Sequence, residues 1–201
     1  RQAQTSRIVK NAYAINQGHY PALEPVSASP KTDCLWLGAP EPEDGVQGIQ
    51  ELIRELIPAL GFDPVRDVQV LCPMTRGTVG MRHLNQVLQA VLNPPAPEKV
   101  EIGRGGLILR VGDRIIQQVN DYNRDVFNGD VGTIVSIDLE EQAVTVQFDG
   151  RSVTYDRADL NEITLAWAVT IHKSQGSEYP LVIMPMYMQH YLMLSRNLLY
   201  T

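Results

Sequence analysis

The sequence is short of aromatic residues, of cysteine and of positive charge. Phe, Trp and Tyr make up 6% of it, Cys occurs twice, and 23 Asp and Glu against 17 Lys and Arg leave a formal net charge of −6. That balance argues against a broad nucleic-acid-binding surface, while a narrow groove touching a few phosphates stays possible. Cys34 and Cys72 lie far apart inside apolar runs. This is neither a metal spacing nor a disulfide framework, so both read as buried free thiols and no metal site is expected. No apolar run approaches the ~18–20 residues of a membrane span. The opening "RQAQTSRIVK" lacks the apolar stretch of a signal peptide, so a cytoplasmic location with no membrane partner is expected. A phosphate-binding loop of the G-x-x-x-x-G-K-[ST] kind is missing too. The "GRGG" at 103–106 has neither its Lys nor its helix.

What is present is ordinary for a soluble globular protein: 201 residues, 44% hydrophobic and 20% charged, enough for one large domain or a domain with a small companion. The chain opens on Arg1 in what reads as a helix in progress, with Ile8, Ala12 and Ile15 at helical spacing and Gly18 as a stop. Its end, "MLSRNLLYT", also stops mid-pattern, as expected of a piece of a longer protein. Next come a strand at 34–38, a helix over 46–60 carrying Ile49, Leu52, Ile53, Leu56 and Ile57 on one face, a strand at 68–73 and a helix over 79–92. Alternating apolar strands and helices imply a parallel sheet covered by helices. The Pro- and Gly-rich stretch 93–106 breaks that pattern as a connector. From 107 to 162 the period becomes two, with turns at Asn128-Gly129-Asp130 and Asp149-Gly150, which predicts four or five short antiparallel strands in a small barrel. After Ile163 the α/β pattern resumes, with a short helix, a polar stretch, the strand "LVIMP" and a final helix expected. The expected organisation is a first α/β part at 1–106, an inserted β-barrel at 107–162 and a second α/β part at 163–201.

The polar stretch is "TIHKSQGSEYP" at 170–180, set between two apolar runs. Segments at strand ends are where open α/β sheets place their chemistry. Thr170, His172, Lys173 and Ser174 offer donors suited to phosphates, Gln175 and Glu178 can hydrogen-bond a ribose, a water or an Arg, and Gly176 permits a positive φ. A capped turn whose polar groups simply face water accounts for the same composition.

"LAWAVTIHKSQGSEYPLVIMP", followed by "YLMLSRNLLYT", closely resembles motif V and the approach to motif VI of superfamily-one DNA helicases of the RecD-like branch. The resemblance covers almost the whole chain. "RQAQTSRIVKNAYAINQG" is similar to motif IV, "VLCPMTRGTVGMRHLNQVLQ" to motif IVa, and "VGDRIIQQVNDYNRDVFNGDVGTI" to the SH3-like barrel inserted in the second RecA-like domain. The ending is nearer the stand-alone RecD-like helicases than the RecD subunit of RecBCD.

The resemblance implies an ATP-dependent, 5′-to-3′ DNA helicase of repair or recombination, with ATP, Mg²⁺, single-stranded DNA and the first RecA-like domain of the same parent chain as partners. It matches Arg1 to the motif IV arginine that reaches the γ-phosphate. Gln175, Gly176 and Glu178 match the nucleotide-facing part of motif V, and Thr170, His172, Lys173 and Ser174 the DNA-facing part. Thr75 and Arg76 resemble backbone-contacting residues at a helix start, where an ordinary N-cap is the plainer reading. His19, His83 and His190 carry no motif. Walker A and Walker B are missing, so the piece alone is expected to bind no cofactor and hydrolyse no ATP. Two other parents remain open, a relaxase carrying a RecD-like half and a non-catalytic interaction scaffold.

Overall fold

The computed structural model describes residues 6–27, 30–188, 195 and 199. Arg1, His190 and nearly all of the expected final helix lie outside them. The chain divides into two units, one made of Arg1–His83 with Val169–Thr201 and one of Leu84–Ala168.

The first unit begins with helix α1, Arg7–Asn16. Its free N–H groups are met twice: Ser6 Oγ accepts from Val9, and Asp33 Oδ1 accepts from Arg7 at 2.7 Å and Ile8 at 3.3 Å. Burial works against ionising Asp33, but the bonds from Ser6, Arg7 and Ile8 outweigh it and hold the carboxyl below its usual range. The expected apolar stripe is not what this helix buries. Ile8 is exposed and Asn11 is buried, its side chain exchanging two 2.8 Å hydrogen bonds with the Ala22 backbone. An amide that satisfies the backbone of an irregular stretch has outcompeted the stripe. Strands β1 (Glu24–Pro25) and β2 (Leu35–Trp36) form a short parallel pair. The strand expected at 34–38 is therefore only two residues long, and Cys34 is half-exposed.

One helical stretch follows, as α2 (Pro42–Glu51), a π-turn (Leu52–Leu56) and α3 (Ile57–Ala59). It buries Val46, Ile49, Ile53 and Ile57 at helical spacing. Pro58 has no N–H, and its ring would strike the carbonyl four residues back. The chain widens by one residue ahead of it, and Ile57 N–H bonds to the Leu52 carbonyl. Strand β3, Val68–Cys72, is buried at every position and occupies the middle of a three-stranded sheet between β11 (Ala168–Thr170) and β12 (Leu181–Ile183). β12 runs parallel to β3, with Leu181 opposite Val68.

The second unit takes in most of helix α4, Met81–Leu92. The stretch expected as a connector closes into a hairpin of β4 (Glu101–Arg104) and β5 (Leu107–Arg110). The glycines read as breakers make its turn: Gly105 and Gly106 have φ of +55° and +81°, as a two-residue hairpin turn of type I′ requires. Beyond it β6 (Arg114–Gln117), β7 (Val131–Asp138), β8 (Ala143–Phe148), β9 (Arg151–Tyr155) and β10 (Ile163–Leu165) form an antiparallel sheet in the order β10-β6-β7-β8-β9. Alternate positions along it bury Ile115, Ile134, Val144, Val146, Val153 and Tyr155. The short helix expected after Ile163 is not there. Residues 163–165 pair with β6 instead, Ile163 opposite Gln117, because their apolar side chains close the edge of this sheet.

Helix α4 is joined to these strands by a buried carboxylate. Asp113, 0% exposed, accepts from Gln89 Nε2 at 2.6 Å, Asn93 Nδ2 at 2.8 Å and the Arg110 N–H at 2.7 Å. Arg110 Nε donates in turn to Glu101 at 2.5 Å, and Lys99 Nζ to Asn93 Oδ1 at 2.6 Å.

Candidate functional site

The polar stretch folds as two turns that share one serine. Residues Ile171–Ser174 form a 3₁₀ turn, in which positions three apart eclipse each other. Ile171 and Ser174 accordingly point inward and are buried, and the turn packs against β3. His172 is left exposed and Lys173 half-buried. Ser174 Oγ donates to the Ile171 carbonyl at 2.8 Å, and the Ser174 carbonyl accepts from Ser177 N–H at 3.0 Å. Between them Gln175 has φ −59° and ψ 127° and Gly176 has φ +85°. These are the angles of a type II turn, whose third position needs glycine. Gly176 thus occupies the left-handed conformation that the sequence suggested. Ser174 spends its proton inside the turn, so its contribution is to shape.

Electrostatically the two turns differ. Lys173 is half-buried, and desolvation holds its ammonium below the ordinary lysine pKa. A partly dried cation gains more from an anion than a fully hydrated one does. Gln175, Gly176 and Glu178 are exposed. Thr170 is half-buried and makes no side-chain cap to the turn that follows it, so its hydroxyl is not committed there.

Thr75 and Arg76 follow the carboxyl end of β3, in an irregular stretch that ends where α4 begins. The N-cap expected there is built differently. The backbone carbonyls of Met74 and Thr75 accept from Met81 and Arg82 at 3.0 and 3.1 Å, and Gly80 fits because a Cβ there would meet the Arg76 backbone. Arg76 is exposed. His83 Nδ1 lies 2.6 Å from the Thr78 carbonyl, a contact that positions this loop and that no motif announced.

The late residues of the polar stretch and Thr75–Arg76 border opposite ends of β3. Pro180 immediately precedes Leu181, whose N–H bonds to the Asp67 carbonyl at 3.0 Å, so the late residues of the polar stretch approach the amino end of β3. Thr75 and Arg76 leave from its carboxyl end, about 15 Å away across five residues of strand. Among the described residues there is no group of three or more His, Cys, Asp or Glu that could hold a metal ion. No described helix is long and apolar enough to cross a membrane.

Comparison with known proteins places these elements. The SH3 domain of ATP-dependent RecD-like DNA helicases matches residues 84–148, and the UvrD-like helicase C-terminal domain matches residues 165–201. The ATP-dependent RecD2 DNA helicase of Deinococcus radiodurans is 36% identical over 206 residues, covering 100% of this chain and 26% of that protein. The RecBCD enzyme subunit RecD of Mycolicibacterium smegmatis is 32% identical over 133 residues, 66% of this chain and 22% of that protein. The chain thus spans about a quarter of the length of these relatives. Among solved structures, a Pif1 helicase from Bacteroides in complex with ADP-AlF3 and ssDNA matches 92% of this chain and 44% of its own, at TM-score 0.52 and 16% identity. Bacteroides Pif1 bound to ssDNA matches at TM-score 0.51 and 17% identity, over 97% of this chain and 47% of its own. Those two likenesses establish the fold, an α/β fold of RecA-like type. With both domain models matched in order along one chain, and a relative aligned from end to end, the chain belongs to the RecD-like DNA helicase family.

Proposed function

We propose that this chain is the second RecA-like portion of an ATP-dependent DNA helicase that moves 5′ to 3′ along single-stranded DNA in repair or recombination. Residues 1–106 and 163–201 would form the RecA-like part and 107–162 the inserted SH3-like module. The observation that carries the reading is the pair of turns pivoting on Ser174. One turn holds out His172 and the half-buried Lys173, the other holds out Gln175 and Glu178, and both are rooted on one buried strand. An element of two hydrogen-bonded turns with two exposed faces can transmit the state of one ligand to the grip on another.

In this reading Lys173, His172 and Thr170 contact the phosphate backbone, as do Thr75 and Arg76, which follow the carboxyl end of β3. Gln175 and Glu178 face the nucleotide, with Gly176 setting their turn. Arg1, outside the described residues, stabilises charge on the transferred phosphoryl group. ATP and Mg²⁺ fit these residues only in part. They supply hydrogen-bonding side chains but no Lys-bearing phosphate loop, so the first RecA-like domain of the parent chain would hold most of the nucleotide and its metal.

The test is a pair of substitutions in the full-length parent. Lys173→Ala should lower affinity for single-stranded DNA and flatten its salt dependence by about one charge, leaving DNA-independent ATP turnover near normal. Glu178→Ala should lower kcat for ATP and leave nucleotide-free DNA binding intact. Identical defects from the two, tracking a lower melting temperature, would reduce the segment to a structural turn.

A further inference from the structure

The loop between β6 and β7 is built more firmly than a connector needs. Val126, 0% exposed, anchors it from within, and Asp121 and Val126 pair across it as an isolated bridge. Arg124 stacks over the buried Tyr155 ring, 5.1 Å from its centroid, and forms ion pairs with Asp121, Asp159 and Glu162. Arg151 closes the other side on Asp125 and Asp130. On this scaffold two aromatic rings face water. Tyr122 is 78% exposed and Phe127 37%, set edge to face with centroids 5.8 Å apart. In a sequence with so few aromatics, holding two of them in solvent exposes apolar area that folding would ordinarily bury.

We infer that the Tyr122–Phe127 edge of this loop is a docking surface for an arginine-bearing, apolar segment of a separate protein. Rigid aromatics that need no further ordering are the side chains that contribute most at interfaces. The charge around them selects the partner. The unit Leu84–Ala168 carries thirteen Asp and Glu against seven Lys and Arg. At the loop itself, five carboxylates face Arg124 and Arg151, and both arginines are already paired. Single-stranded nucleic acid also stacks on aromatics, but it needs a positive groove to follow its phosphates, and this surface repels them. Guanidinium groups answer both features, pairing with the carboxylates and stacking on the exposed rings. An unbalanced negative field speeds the encounter of separate molecules. A tethered segment, already at high effective concentration, gains little from that. The inference stands apart from the helicase reading, since it uses none of the residues assigned to DNA or nucleotide.

The experiment is amide chemical-shift mapping on the ¹⁵N-labelled 201-residue chain. Three probes are compared: a synthetic peptide with one Trp flanked by arginines, the same peptide with glutamates in their place, and a short oligothymidylate. The arginine peptide should shift resonances of 119–130, weaken as salt is raised, and lose about tenfold in affinity when Tyr122→Ala and Phe127→Ala are combined, at unchanged melting temperature. Three results overturn the inference. One is no loop-centred shift with the arginine peptide. Another is equal shifts with the oligothymidylate, which would make the loop a nucleic-acid platform. The third is peptide affinity unchanged in the double variant, which would leave only diffuse charge attraction.

Discussion

Replacing Asp113 by alanine removes the acceptor of three buried hydrogen bonds, and the donors left behind are not equally stranded. Gln89 Nε2 keeps the Ile108 carbonyl at 2.9 Å, and Asn93 Nδ2 keeps the Val111 carbonyl at 3.2 Å. The Arg110 N–H, which gave its proton to Asp113 Oδ2, is left without that acceptor in a buried site. An unmet buried donor costs about 1–3 kcal/mol, and two weakened charge-assisted bonds add about 1 kcal/mol. Relief from holding a carboxylate away from water offsets part of this. A net loss of about 2–3 kcal/mol is expected for Asp113→Ala. Asp113→Asn should cost about 1 kcal/mol, because its oxygen can still receive Gln89 and the Arg110 N–H. Its new NH₂ would face Asn93 Nδ2, and Asn93 cannot simply flip, since its oxygen already accepts from Lys99.

The assay is urea unfolding of the 201-residue chain followed by Trp167, buried in the second unit, with Trp36→Phe as background. Burial raises the Asp113 pKa above the ordinary carboxylate value, against the pull of Asn93, Gln89 and the Arg110 N–H. The native state therefore binds the proton more tightly than the unfolded one. The contribution of this group is complete at low pH and declines as pH rises through the elevated value. The Asp113→Asn penalty should shrink correspondingly toward neutral pH. Equal losses from Ala and Asn, or a loss under about 0.5 kcal/mol from Ala, would refute the hydrogen-bond accounting.

Gly129 has φ +103° with open space where a Cβ would go, so Gly129→Val should cost about 1–3 kcal/mol through backbone strain alone, read by thermal melting. Gly132→Ala fails for another reason. Its Cβ would sit 2.6 Å from Val146 Cγ1 and 2.9 Å from the Gln147 carbonyl oxygen, and a sheet carbonyl cannot yield, so about 1–3 kcal/mol of overpacking is expected in the same melts. Ser174→Ala should cost about 1 kcal/mol and, in the full-length parent, impair DNA binding and ATP turnover together, because both turns pivot on that residue. The 201-residue chain by itself should show no DNA-stimulated ATP hydrolysis in a phosphate-release assay, for want of a Lys-bearing phosphate loop.

Local chemistry made much of this protein readable from its sequence. Period-two alternation marked the strands now seen as β6 to β9, the glycines of Asn128-Gly129 and Asp149-Gly150 marked their turns, and Gly176 marked a positive φ. Each of these is a property of a few neighbouring residues, so the sequence carries it whole. Where competition between distant groups decided the outcome, the pattern misled. Residues 163–165 read as the start of a helix because their apolar run is too short to tell helix from strand, and only the open edge of β6 made them β10. The α1 stripe lost to Asn11 because the Ala22 backbone, eleven residues away, needed a partner. Asp113 is buried only because Gln89 and Asn93, from a distant part of the sequence, close around it with the Arg110 backbone. The polar stretch 170–180 shows both sides of the matter. Its residue types were plain in the sequence. Which of them turn outward was settled by tertiary structure, because Ile171 had to be buried against β3 and a 3₁₀ turn then carried Ser174 inward with it.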